Sequence, residues 1–153
     1  MKYFPIMGSS YNSDDYAPID LQLNISKLYA LGPVTIDTMD LYVSNIRHQS
    51  NSYLLYGGYL EQRGIYTSVH FLDDSRNIHL GLDIWAAAET SLYAIDDMVV
   101  HSMQYNSQPL DYGYTLIFYM PDSDQYILLG HLSKGSIQDK NVGDIHHRGG
   151  LIA

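Results

Sequence analysis

The residues best suited to chemistry lie in Ile78-His79-Leu80-Gly81-Leu82-Asp83-Ile84, where an imidazole and a carboxylate stand four positions apart. Strand alternation puts His79, Gly81 and Asp83 on one face and the apolar residues on the other. A straight strand would hold His79 and Asp83 ~13 Å apart, too far to share a metal ion. Gly81, between them, is the residue most able to bend the chain and bring them together. The same spacing also suits an ordinary structural or surface pair. His131 follows Gly130 and sits among Leu128, Leu129 and Leu132, a setting that equally suits a partly buried structural histidine. The chain has no cysteine, so disulfides, thiolate zinc sites and cysteine nucleophiles are excluded. Any metal must be held by His, Asp and Glu, a ligand set that suits a catalytic zinc better than a structural one.

The elements that must position these residues change character along the chain. Ser9 to Asp15 is a polar stretch that reads as a loop. Asn24 or Ser26 is placed to cap a short helix through Leu28 and Leu31, stopped by Gly32-Pro33. Asp37 is placed to cap a second helix, with Leu41, Tyr42, Ser44 and Ile46 as a weak stripe that runs out near Ser50. From Tyr53 onward, short Tyr-, Val-, Ile- and Leu-rich runs alternate with turn residues. The runs predict strands over 52–56, 66–71, 77–84, 91–105, 114–119 and 125–131. Residues 1–52 are thus an extension with short helices and 53–153 a predominantly antiparallel β domain, a sheet, sandwich or barrel. Fifteen tyrosines suit half-buried strand faces.

The 153 residues are enough for one domain with a real core, and an apolar fraction of 46% argues against wholesale disorder. A formal charge of −9 with only eight Lys and Arg argues against nucleic acid or an anionic membrane as the main partner. The N-terminus has no apolar core of a signal peptide, and no apolar run approaches a spanning helix. The chain as written is therefore expected to be soluble and cytoplasmic.

The motifs gain meaning from their order. After His79-x-Gly81-x-Asp83 come Ala86 to Val100, then Asp111-Tyr112-Gly113-Tyr114, Gly130-His131-Leu132-Ser133, and Val142-Gly143-Asp144-Ile145 with Gly149 to Ala153. This order, from about Gly57 to Ala153, resembles the lysostaphin-like zinc metallopeptidases, peptidoglycan endopeptidases of the duplicated-hybrid-motif fold. Their pattern is H-x-G-x-D, an A-P-x-G-T-P-V-x-A turn, a D-G-x-V strand, G-Y-G, a G-H-L or A-H-L histidine, a G-x-x-V-x-x-G strand and then H-x-H. The resemblance implies that His79 and Asp83 bind zinc and that His131 is a catalytic imidazole beside the metal-bound water. It implies hydrolysis of peptide bonds in peptidoglycan cross-links, with a peptide or peptidoglycan as substrate. The family is usually exported, which contrasts with the N-terminus found here.

The sequence also departs from the family. Ala87 and Glu89 stand where the turn has Pro and Gly, and Asp96-Asp97 stands for D-G. The seven histidines, His48, His70, His79, His101, His131, His146 and His147, include no H-x-H, whose second histidine is the third zinc ligand of the family. The metallopeptidase-like domain thus reads as truncated at its C-terminus, and zinc is expected to be weakly bound or absent. His146-His147 is a poor substitute, because neighbours on a strand point to opposite faces. His48, His70 and His101 read as structural. The terminal strand, Gly149 to Ala153, would lose its neighbour and leave an open edge for self-association. Two other readings stand beside the peptidase: a non-catalytic relative that binds a peptide or protein, and a IIA-type phosphocarrier with phospho-His79.

Overall fold

The computed structural model describes residues 3–22, 25–63, 77–108 and 111–153. The chain is mainly β. Its contacts form two compact units, one of Asn12–Ala87 and one of Met1–Tyr11 with Ala88–Ala153. The change of pattern near Tyr53 falls inside the first of these, so the composition boundary is not a boundary of packing. Among the described residues no helix is long and apolar enough to cross a membrane.

The Asn12–Ala87 unit opens with a 3-10 turn, Ser13–Asp15, inside the stretch expected to be loop. There follow β1 (Tyr16–Pro18), helices α1 (Ile25–Tyr29) and α2 (Ile36–Ser50), and strands β2 (Leu54–Gly57), β3 (Glu61–Gln62), β4 (Ile78–His79) and β5 (Asp83–Trp85). The cap of α2 is Thr35 rather than the expected Asp37. Thr35 and Thr38 each accept the other's backbone N–H, at 3.2 and 2.8 Å, and so satisfy two of the helix's unpaired donors. Asn51 ends the helix in a left-handed conformation (φ 52°), donating its N–H back to Arg47 and His48. Tyr42 and Val43 of α2 pack with Ile19, Leu21, Leu28 and Leu55 into this unit's core. Strand β2 is the centre of a three-stranded sheet, parallel to β1 and antiparallel to β5, while β3 and β4 pair separately.

The second unit is built on β6 (Met98–Asn106), β7 (Gly113–Met120), β8 (Gln125–Leu132) and β9 (Ile145–His146), with a single helical turn α3 (Gly135–Gln138). The antiparallel order is β8-β7-β6-β9. Leu116, Phe118 and Met120 alternate along β7 into a core with Ala94, Met98, Val100, Leu129 and Ile152. The strand expected to begin at Ser91 begins at Met98. Residues 92–94 instead bond the chain's end, with Leu92 donating to Ala153 at 2.8 Å and Gly149 donating to Ala94 at 2.8 Å. Ile152 is buried by that pairing. Outside the N-terminal third, α3 is the only helix among the described residues. His70 and the strand expected over 66–71 lie outside the described residues.

Candidate functional site

The expected single strand through His79 and Asp83 is broken at Gly81. His79 ends β4 opposite Glu61, and Asp83 begins β5 opposite Gly57, so the two residues belong to different sheets. The three intervening residues turn the chain, and His79 Nε2 comes to 3.5 Å from Asp83 Oδ1. A Cβ on Gly81 would stand 3.1 Å from His79 Nε2, so a side chain there would press on the imidazole.

The imidazole is oriented from behind. Its Nδ1 lies 2.9 Å from the carbonyl oxygen of Gly58. A carbonyl only accepts, so Nδ1 carries a proton, and Nε2 is the ring nitrogen that faces Asp83. Gly58 also accepts the N–H of Glu61 at 3.1 Å, closing the turn between β2 and β3. It has φ +94°, and a Cβ there would meet Arg63 Nη2 at 2.5 Å and His79 Nδ1 at 2.7 Å. Only glycine fits. The next residue but one, Leu60, closes this turn with φ 57°, a strained value for a bulky side chain.

The carboxylate is oriented by residues that the sequence reading did not single out. Arg63 donates from Nη2 to Asp83 Oδ2 at 2.5 Å and from Nε to Glu61 Oε2 at 2.6 Å. Glu61 in turn accepts the backbone N–H groups of Leu21 at 2.5 Å and Gln22 at 3.3 Å. Glu61 and Arg63 are 9% and 5% exposed, so two opposite charges are buried as a hydrogen-bonded pair. The signal in the sequence was a Glu-x-Arg spacing, which alternation puts on one face.

The fit to a metal is testable on this geometry. Bonds of about 2.0–2.2 Å at tetrahedral angles place two zinc ligands roughly 3.4 Å apart. The 3.5 Å between Nε2 and Oδ1 agrees with that spacing. A backbone acceptor on the far ring nitrogen is the usual support of a metal-binding histidine. The residues therefore fit zinc as a ligand pair. Among the described residues of this unit no third His, Asp or Glu joins them.

His131 belongs to the other unit, where β8 carries a bulge. Leu129 and Leu132 pair with Leu116 and Tyr114, leaving Gly130 and His131 together opposite Thr115. His131 takes a left-handed backbone (φ 56°), donates its N–H to Tyr112 at 2.6 Å, and is exposed. Bulges re-aim side chains in this way. His101 is the extra residue of a second bulge, between Val100 and Ser102, and packs edge-on against Tyr126. His146 packs edge-on against Phe118, and burial, with Lys140 nearby, pushes its imidazole below the ordinary value. His147 is 81% exposed and lies 3.4 Å from Asp97. The adjacent histidines thus serve different surroundings, as alternation requires. His48 is exposed on the last turn of α2. Comparison with models of protein families, with curated proteins and with solved structures finds no match to this chain.

Proposed function

We propose that the chain carries a zinc metallopeptidase-like site of the lysostaphin type, on a β domain of the duplicated-hybrid-motif class, acting on peptide bonds of peptidoglycan cross-links. The observation that carries the reading is the His79–Asp83 pair, 3.5 Å apart, with Nδ1 anchored on the Gly58 carbonyl. A second observation comes from the turn in which the family has glycine. Glu89, at that position, holds a left-handed backbone with φ 64°. The side chain has changed while the conformation that glycine favours has remained.

In this reading His79 and Asp83 hold the ion through Nε2 and Oδ1. Zinc, when bound, supplies a polarised carbonyl and a water acidified toward neutrality. The Gly130-His131-Leu132-Ser133 resemblance assigns His131 the role of the family's proton-exchanging imidazole. Its exposed, bulged position leaves the ring accessible for that role.

One observation favours a second reading, a non-catalytic relative that binds a peptide or protein. Glu61, Arg63, Asp83 and His79 form a connected set of charges and hydrogen bonds that closes without an ion. The phosphocarrier reading is disfavoured by the Asp83 carboxylate beside Nε2, which would repel a phosphoryl group.

Zinc titration by calorimetry separates the two main readings. The peptidase reading expects binding that disappears in His79→Ala and in Asp83→Ala and is unchanged when His146 and His147 are both replaced by Ala. Capture of stem peptides without any His79-dependent zinc binding would instead establish the binding module.

A further inference from the structure

We infer that Arg63, braced by Glu61, is a positioning residue that makes Asp83 a one-oxygen ligand and so sets which divalent ion the site prefers. The inference rests on the metal-ligand reading of His79 and Asp83. It goes beyond that reading by assigning ion selectivity to a buried pair that touches no ion.

Burying Glu61 and Arg63 costs desolvation that a surface pair would avoid. Here the geometry is specific. The guanidinium is a rigid planar fork, and two of its nitrogens engage two different carboxylates, Nε on Glu61 and Nη2 on Asp83. Glu61 cannot follow Arg63 if it moves, because its other oxygen is held by the backbone at Leu21 and Gln22. The fork therefore transmits a fixed orientation from the backbone to Asp83. With Oδ2 engaged by Arg63, Oδ1 is the oxygen that faces His79 Nε2.

A carboxylate held in this way offers one oxygen at one angle. That suits a compact tetrahedral ion such as zinc. A larger ion of equal charge, such as cadmium, gains more from a carboxylate free to present both oxygens. The guanidinium also repels any cation bound at Asp83. This repulsion acts alike on two divalent ions, so it cancels in the ratio of their affinities and leaves the orientational effect. Arg63→Lys sharpens the test, since lysine keeps the charge and loses the fork.

The experiment titrates the full 153-residue chain with zinc and with cadmium, for the wild type, Arg63→Lys, Glu61→Gln and His79→Ala. Cobalt(II) visible absorption reports the coordination geometry, and far-ultraviolet circular dichroism checks the fold. The zinc-over-cadmium preference should fall about tenfold in Arg63→Lys, the usual scale of a lost orienting partner, with a changed cobalt band and an unchanged fold. Glu61→Gln keeps an acceptor for the Leu21 N–H and loses the charge that braces Arg63. It should move the ratio in the same direction, and it decides the matter should the lysine variant fail to fold. Equal ratios and an identical cobalt spectrum in the folded variants would overturn the inference while leaving the ligand pair standing. Zinc binding that is absent in the wild type, or survives in His79→Ala, would overturn the ligand pair and this inference with it.

Discussion

Single residues in this chain carry conformations that their side chains do not favour. Glu89 (φ 64°) is one, in a turn where nothing about a glutamate calls for a left-handed backbone. Replacing it by glycine removes a steric cost of about 1 kcal/mol, so Glu89→Gly should be more stable by up to that amount in chemical denaturation. A second consequence concerns protons. Burial, then the charge of Lys140, hold the His146 imidazole below its ordinary value, against the weaker opposing pulls of the Leu151 backbone and Asp144. As pH falls, the unfolded chain takes up this proton before the folded one does. The stabilisation is therefore complete above the unfolded value of about 6.5 and is lost as pH falls through the lower folded value. Melting temperature should drop more steeply below about pH 6.5 in the wild type than in His146→Phe, which keeps the ring packing and removes the titration.

At the scale of elements, breaks in regular pairing place the polar residues, and the regular parts supply the cores. The Gly81 break separates β4 from β5 and lets His79 meet Asp83. The β8 bulge sets His131 in a left-handed conformation on an exposed edge of its sheet. His131→Gly is expected to be neutral to about 1 kcal/mol stabilising in urea denaturation, because the left-handed cost disappears with the side chain. If His131 is the catalytic imidazole, hydrolysis should fall by about 100-fold or more in the same variant, an opposition of activity and stability that a packing role does not produce. A clear loss of stability in His131→Gly would show that the ring is needed for packing.

For the whole molecule, the first eleven residues count with the last sixty-six. Phe4 donates to Ile95 at 2.7 Å, Tyr93 donates to Ile6 at 2.8 Å, and Met7 is 3% exposed. Removing residues 1–11 should therefore destabilise the Ala88–Ala153 segment by at least about 3 kcal/mol, near the cost of emptying one buried Met site. Thermal unfolding followed by near-ultraviolet circular dichroism would check this, and an unchanged transition would mean that the N-terminal segment contributes nothing. The chain's end is tied down in the same way, since backbone bonds join 92–94 to Gly149, Gly150, Ile152 and Ala153. The segment expected to be an open strand has partners along one side.

What the sequence by itself determined was local. The helix α2, the Gly32-Pro33 stop, the strand periods of β7 and β8 and the break at Gly81 all follow from the preferences of neighbouring residues, whereas Leu41 of the expected α2 stripe is exposed and β6 begins seven residues later than its pattern suggested. The cap of α2 moved only from Asp37 to Thr35, within one helical turn. The convergence of His79 and Asp83 was legible because one glycine stood between them. What only the tertiary structure decided was long-range. Arg63 touches Asp83 across 20 residues, Glu61 reaches back 40 to the N–H of Leu21, and Met1–Tyr11 joins the unit that begins at Ala88. The bulges at His101 and His131 arise from the register between strands, which no single strand's pattern encodes. Propensity and periodicity act over a few residues. The choice of partner for a buried charge or a strand edge is made by the whole packed chain, because only there is the cost of an unpaired group incurred.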